Sequence, residues 1–127
     1  QFINKGELKI IMDAYNANPT SMQASIKSFF FNTEKNNYLI LGDMLELGSF
    51  SNKEHSEILQ LIQKLEPTDV FLVGSIFTET AKKFDFKTFQ DVSQLISFLK
   101  NKPIKNGNVL IKGSRGIQLE KVLEYLN

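Results

Sequence analysis

Short runs of apolar residues alternate along the chain with longer stretches of helical periodicity. Four runs are continuously apolar rather than alternating, which is typical of strands buried on both faces of a parallel sheet. A weaker stretch at residues 86–89 predicts an additional edge strand. The four main runs are residues 8–12, 38–41, 70–73 and 109–111.

The segments between and after these runs repeat apolar residues at spacings of three and four, which places them on one helix face. Asn18 before Pro19 is typical of an N-cap followed by the first helical residue. Ser51 and Glu54 have the spacing of a capping box, and Asp91 is placed to cap a later helix. Helices are predicted around residues 22–30, 51–65, 92–99 and 119–126, with a shorter one around 77–84.

This order of strands and helices predicts an α/β fold. We expect a three-layer, doubly wound, mostly parallel sheet of Rossmann-like type with helices on both faces. The 127 residues fit one domain of ordinary size, so residues 1–127 are interpreted as a single domain. In such sheets, ligands bind at the carboxyl ends of the strands.

Composition narrows the classes of function. Fifteen basic and fourteen acidic residues leave a net charge of +1, which argues against nucleic acid as a partner. The absence of cysteine and the presence of one histidine exclude thiol chemistry and a multi-histidine metal site. No run approaches the roughly 18 apolar residues of a spanning helix, so we expect no membrane insertion.

The loop after the first run, residues 13–19, concentrates polar side chains. The Asp13 carboxylate can accept hydrogen bonds from ribose hydroxyls, and the Tyr15 ring offers a flat face to a base. Asn16 and Asn18 add amide groups. The alternative is an ordinary strand-to-helix turn, in which Asn, Asp and Pro are common.

The loop after the second run, residues 42–48, places Asp43 and Glu46 between glycines. These carboxylates can hold an ammonium group, a metal ion or a water, or they can belong to a solvated loop. His55 follows in the first turn of a helix, where the dipole favours neutral imidazole. It is a candidate functional residue or a partly buried histidine with satisfied hydrogen bonds.

The loop after the last run, residues 112–116, combines Lys112, Ser114 and Arg115 with two glycines. Backbone N–H groups and two cations make it a candidate anion site. The sequence contains neither the P-loop spacing nor a Gly-x-Gly-x-x-Gly fingerprint. It therefore lacks a complete apparatus for phosphate transfer.

Together, residues 13–22, residues 41–48 with His55 downstream, and residues 112–115 resemble the C-terminal domain of the Mur ligases. The resemblance covers essentially the whole chain and is greatest to the family members that add D-Ala-D-Ala. It implies a cytoplasmic, three-domain enzyme of peptidoglycan precursor synthesis that joins D-Ala-D-Ala to UDP-N-acetylmuramoyl-tripeptide through an acyl phosphate. ATP and Mg²⁺ would be bound mainly by a central domain, and the N-terminal domain would bind the UDP-sugar.

The resemblance also implies binding roles for the residues that match the family's motif positions. Because the P-loop and the magnesium ligands belong to the central domain, we expect this chain to be a fragment that is inactive alone. It would contain no catalytic residue by itself and no metal ligand. The expected nucleotide-binding residues are Asp13, Tyr15, Asn16 and Asn18. The expected residues for the dipeptide or the muramoyl peptide are Asp43, Glu46, His55, Lys112, Ser114 and Arg115.

Two alternatives remain open at the level of sequence. One is the C-terminal domain of another Mur ligase or of a folylpolyglutamate synthase. The other is a stand-alone flavodoxin-like or receiver-like binding module, for which Asp13 and Asp43 are superficially suitable. The Tyr-Asn-Ala-Asn-Pro segment at residues 15–19 and the Gly-Asp-Met segment at residues 42–44 favour the D-Ala-D-Ala enzyme.

Overall fold

The computed structural model describes residues 1–126, which form one mixed sheet flanked by helices on both faces. The strands are β1 Phe2–Lys5, β2 Glu7–Asp13, β3 Asn37–Gly42, β4 Asp69–Val73, β5 Lys87–Phe89 and β6 Asn106–Lys112. The α-helices are α1 Pro19–Phe31, α2 Ser51–Leu65, α3 Ser75–Thr80 and α4 Val92–Asn101. Short 3₁₀ segments are Gly48–Phe50, Ala81–Lys83, Arg115–Ile117 and Leu119–Tyr125.

The strand order in the sheet is β1-β2-β6-β3-β4-β5. Every neighbouring pair is parallel except β1 and β2. The predicted α/β fold and the weak edge strand before α4 are therefore confirmed. No helix within residues 1–126 is long and apolar enough to span a bilayer.

Strand β1 was not predicted from the sequence. It pairs antiparallel with β2, and Lys5 lies opposite Leu8, so the connecting turn contains Gly6 and Glu7. Gly6 has a φ of 60°, a conformation that glycine adopts at little cost in a tight hairpin. The strand has only four residues and no fully buried side chain, so it lacks the apolar run that marked the others.

Alternate residues of the central strands point to opposite faces of the sheet, which explains why their sequences are continuously apolar. The face covered by α1, α2 and α3 contains Leu39, Leu41, Val70, Leu72 and Leu110. The face covered by α4 and the 3₁₀ segment Leu119–Tyr125 contains Leu8, Ile10, Ile40, Phe71 and Ile111.

The ends of the helices agree only in part with the predicted signals. Asn18 accepts a hydrogen bond from the Ser21 amide at the start of α1, and Asp91 accepts one from the Gln94 amide in α4. The predicted capping box of α2 is wrong. Ser51 is already helical, because α2 continues directly from the 3₁₀ turn Gly48–Phe50 without a side-chain cap.

The last predicted α-helix is a 3₁₀ segment, Leu119–Tyr125. Its Leu119 and Val122 are buried, as the apolar stripe implied, and Leu126 is buried directly after it. The segment begins after Gln118, whose backbone is left-handed with a φ of 63°. The apolar pattern thus predicted the buried face but not the type of helix, since residues three apart share a face in both forms.

Candidate functional site

Three loops meet at one edge of the sheet because β2, β6 and β3 are adjacent and parallel. The Gly113 amide lies 3.4 Å from the Asp13 carbonyl oxygen, and the Ser114 amide donates to the Asp43 carbonyl at 3.1 Å. The polar residues that follow three separate apolar runs in the sequence therefore share one edge. This convergence is the geometry expected for a ligand site at the carboxyl ends of parallel strands.

Asp13 and Lys112 form an ion pair at the ends of β2 and β6. The Lys112 Nζ donates to Asp13 Oδ2 at 2.6 Å and to the Asn16 carbonyl at 3.2 Å. The lysine is only 1% exposed, whereas nearly half of the Asp13 side chain is open to solvent. Burial alone would raise the pKa of Asp13, but Lys112 and the amides of Tyr15 and Asn16 together lower it. Asp13 is thus an ionised carboxylate held in a fixed position beside solvent.

An aromatic ring and a guanidinium group lie next to this pair. The Arg115 Cζ sits 4.5 Å above the centroid of the Tyr15 ring, and Tyr15 is 70% exposed. With Asp13, these side chains line an open cleft of about 450 Å³. A flat aromatic surface, a cation and a carboxylate in one cleft can recognise a base, a phosphate and a sugar hydroxyl.

Asn16 and Asn18 lie on the same loop and are exposed. The Asn16 backbone carbonyl oxygen accepts a hydrogen bond from Lys112. The Asn18 side chain instead accepts from the Ser21 amide at 2.9 Å and caps α1. The Asn18 side-chain oxygen is therefore engaged in the cap, as Asn18 before Pro19 predicted.

Asp43 is buried at the end of β3. Its two carboxylate oxygens accept hydrogen bonds from the Ile76 and Phe77 amides at 2.9 and 2.8 Å, at the start of α3. Burial raises the pKa of Asp43, while these two amides and His55 act in the opposite direction. A Cβ on Gly74 would lie 2.3 Å from the carboxylate, so only glycine fits there. Asp43 therefore contacts α3 and presents no open oxygen to the cleft.

His55 is also fully enclosed, beneath the loop after β3. Its Nε2 accepts from the Met44 amide at 3.0 Å, and its Nδ1 lies 2.8 Å from the Ser51 carbonyl oxygen. The ring packs edge-on against Phe77 at a centroid distance of 4.6 Å. Burial lowers the pKa of His55, although the Ser51 carbonyl and nearby carboxylates oppose that shift. The structure thus gives Asp43 and His55 interior positions, not the cleft-facing positions expected from sequence.

Glu46 and Ser114 lie at the surface of the same edge. Glu46 is exposed and has a left-handed backbone with a φ of 67°. The Ser114 hydroxyl oxygen accepts from the Leu45 amide at 2.9 Å, which ties the loop after β6 to the loop after β3. Glu46 also lines an open groove with Phe50 and the start of α1.

Sequence reasoning missed two polar residues of the cleft. Gln1 lines it because its carbonyl oxygen accepts from the Met12 amide and its own N–H donates to the Met12 carbonyl oxygen. Glu120 lines it from the 3₁₀ segment near the end of the chain. No local signal marks either residue, because both positions depend on tertiary packing. Within residues 1–126, no three histidine or carboxylate side chains converge as a metal site.

Comparison with protein families gives a match over most of the chain. Residues 1–115 match the family described as Mur ligase, glutamate ligase domain. The chain is 35% identical to a UDP-N-acetylmuramoyl-tripeptide–D-alanyl-D-alanine ligase of Rickettsia prowazekii, covering 98% of this chain and 29% of that protein. A ligase of the same name from Bacillus subtilis is also 35% identical, over 94% of this chain and 28% of its own length.

Solved structures give the same relationship. A MurF structure from Acinetobacter baumannii matches with a TM-score of 0.86 and 29% identity, covering 99% of this chain and 29% of that one. A Thermotoga maritima MurF ligase in complex with ADP matches with a TM-score of 0.80 and 26% identity, covering 98% and 29%. The chain therefore spans somewhat under a third of the length of these proteins.

Proposed function

The chain belongs to the Mur ligase family, because residues 1–115 match the glutamate ligase domain of that family, and we propose that it is the C-terminal domain of an ATP-dependent ligase. That ligase would join D-Ala-D-Ala to UDP-N-acetylmuramoyl-tripeptide in the cytoplasm, during synthesis of peptidoglycan precursors. The names of the relatives from Rickettsia prowazekii and Bacillus subtilis support this substrate pair. Family membership also sets aside the receiver-like alternative.

The nucleotide side of the proposed site is the cleft beside Asp13. Because the pKa of Asp13 is lowered, its carboxylate is ionised at neutral pH and can accept hydrogen bonds from ribose hydroxyls. Lys112 holds that carboxylate in place from below, and the exposed Tyr15 ring offers a face to the nucleotide. Asn16 is exposed and adds a side-chain amide to this loop. The ADP complex of the Thermotoga maritima relative supports a nucleotide as the ligand.

The peptide side of the proposed site is formed by Glu46, Ser114 and Arg115. Glu46 is an exposed carboxylate, suited to the ammonium group of an incoming dipeptide, and Arg115 is suited to a carboxylate. Asp43 and His55 would contribute indirectly by fixing the loop on which Glu46 lies. Lys112 would contribute through Asp13, because its own ammonium group is buried.

The phosphates of ATP and the Mg²⁺ would be held outside this chain, whose sequence contains no P-loop. Mg²⁺ would supply charge neutralisation for the phosphates when bound. The peptide carboxylate would attack the γ-phosphorus and release ADP, and the dipeptide amine would then attack the acyl carbon and release phosphate. A domain that closes over the site would exclude water from the acyl phosphate and orient the amine.

The observation that carries this proposal is the convergence of Asp13, Tyr15 and Arg115 on one open cleft at the carboxyl edge of the sheet. The test is to assay the full-length protein that contains this chain with ATP, Mg²⁺, UDP-N-acetylmuramoyl-tripeptide and D-Ala-D-Ala, and to identify products by mass. We expect one amide product per ADP and phosphate released.

Addition of glutamate or of a single amino acid in place of D-Ala-D-Ala would assign the protein to another branch of the family. The 127-residue chain alone should give no product with the same reagents. Amide formation by that chain would overturn the proposal that it acts as one domain of a larger ligase.

A further inference from the structure

The most completely enclosed polar group at this edge of the sheet is the imidazole of His55, which is 0% exposed. It lies in the first turn of α2, directly under the loop that follows β3. Both ring nitrogens have backbone partners on different segments, Met44 on the loop and Ser51 on the helix. The ring is therefore a bridge between α2 and the loop at residues 43–47.

These partners fix the protonation state of the ring. The Met44 amide can only donate, so Nε2 must be the unprotonated, accepting nitrogen. The Ser51 carbonyl oxygen can only accept, so Nδ1 carries the proton. The charged groups that face the ring are Asp43, at the end of β3, and Glu54, on α2 itself. Phe77 of α3 contacts the ring without charge.

The loop held by His55 is fixed at two further points. At its base, the Asp43 carboxylate is bonded to the start of α3. At its other side, the Leu45 amide donates to the Ser114 hydroxyl oxygen. Leu45 also lies against Gly116, where an added Cβ would come within 3.1 Å of its side chain. Met44 is thus the middle of three attachment points in the loop after β3, and the third of them, at Leu45, joins this loop to the loop after β6.

We propose that His55 is a positioning residue of the ligase, whose unprotonated Nε2 fixes the Met44 amide and thereby directs Glu46 toward the incoming dipeptide. This inference rests on the proposed function. Glu46 follows the fixed segment immediately, has a left-handed backbone and is exposed. Loss of the attachment at Met44 would release the loop between Asp43 and Leu45 and disorder the carboxylate that follows.

Two substitutions at His55 distinguish the roles of the two ring nitrogens. The side-chain oxygen of glutamine reaches as far from Cβ as Nε2 does, so His55→Gln retains an acceptor for the Met44 amide. Asparagine reaches only as far as Nδ1, so His55→Asn can replace the bond to the Ser51 carbonyl but leaves the Met44 amide without a partner. The matched control is Ile62→Val, a buried substitution on the same helix that touches none of these bonds.

The experiment measures steady-state kinetics and amide hydrogen exchange in the full-length protein that contains this chain. We expect His55→Asn to raise the KM for D-Ala-D-Ala about tenfold, the effect of losing one buried hydrogen bond. It should also speed exchange of the Met44 and Leu45 amides and leave the KM for ATP unchanged. His55→Gln should stay within about twofold of wild type in both measurements.

Equal KM values and equal amide exchange in His55→Gln and His55→Asn would overturn the proposal. It would also be overturned if His55→Asn changed these quantities no more than Ile62→Val does at the same loss of melting temperature. If the wild-type protein does not ligate D-Ala-D-Ala, the proposed function fails at that step. Exchange of the Met44 amide in the two variants would still decide whether His55 fixes the loop, because that measurement requires no substrate.

Discussion

Strands β2 and β3 each lead to an aspartate at the carboxyl edge of the sheet: Asp13 is the last residue of β2, and Asp43 directly follows the last residue of β3. Asp13 is paired with a buried lysine and remains open to solvent, and its pKa is lowered. Asp43 is buried against the start of α3, and its pKa is raised. One aspartate is available to a ligand and the other supports the fold.

The difference arises from the neighbours that each aspartate contacts. Asp13 has Lys112 on the adjacent strand β6, which donates to one carboxylate oxygen while nearly half of the side chain stays exposed. Asp43 has Gly74 and the first amides of α3, which together occupy both oxygens. A strand-end aspartate is therefore a candidate ligand-binding residue only when its hydrogen-bond capacity is not used by a helix start.

Replacing Asp43 should have the largest effect of the changes considered. Asp43→Ala leaves the buried Phe77 and Ile76 amides without their acceptor, which should cost about 2–5 kcal/mol of unfolding free energy. Urea denaturation measures this loss, and Asp85→Ala, at an exposed carboxylate, is the control. A loss below about 1 kcal/mol would mean that Asp43 does not support α3.

Replacing Asp13 should have a smaller effect on stability, because this side chain is half exposed. Asp13→Ala leaves the buried Lys112 ammonium with only the Asn16 carbonyl, at a cost of about 1–3 kcal/mol after allowing for solvent screening. The double variant Asp13→Ala/Lys112→Met should recover most of that loss, since no buried charge remains. Additive losses in thermal unfolding would show that the two residues do not act as a pair.

The enclosed histidine should make stability depend on pH. Because the pKa of His55 is lowered by burial, the unfolded chain takes up a proton near pH 6.5 while the folded chain stays neutral. The contribution of neutral His55 to the free energy of unfolding is therefore complete above pH 6.5. It is lost as pH falls toward the pKa of His55 in the folded chain, by at most about 1.4 kcal/mol per pH unit. Denaturation curves of wild type and His55→Gln should converge as pH falls; parallel pH profiles would contradict this account.

Replacing Arg115 should have the smallest effect on stability. Its contact with Tyr15 lies at the surface, so Arg115→Ala should change the unfolding free energy by no more than about 0.5 kcal/mol. The same change should weaken turnover or peptide-substrate affinity in the full-length ligase. A large drop in melting temperature with normal kinetics would instead assign Arg115 to the fold.

Much of the fold was predictable from sequence because buried parallel strands and helix stripes have distinct apolar periods. The meeting of the loops at Asp13, Asp43 and Ser114 followed from strand topology alone. The hairpin strand β1 was not predicted, since its signal is the single glycine Gly6. The 3₁₀ form of the last segment was not predictable either, because its apolar spacing suits both helix types.

The candidate site was predictable in its location but not in the role of each residue. Asp43 and His55 are the same residue types that act in ligand sites, and only tertiary contacts with Ile76 and Met44 reveal that their polar atoms are already bonded. Tyr15 and Arg115 were predicted as separate candidates. Their contact across two loops depends on the packing of β2 beside β6.

The central claim is that Asp13 belongs to a nucleotide site at the carboxyl edge of the sheet. The most direct test is the KM for ATP of the full-length protein carrying Asp13→Asn, compared with Asp85→Asn as an exposed control. We predict a rise of about tenfold for Asp13→Asn, the value of one lost charge-assisted hydrogen bond, and no change for the control. A wild-type KM for ATP in the folded Asp13→Asn protein would contradict the account.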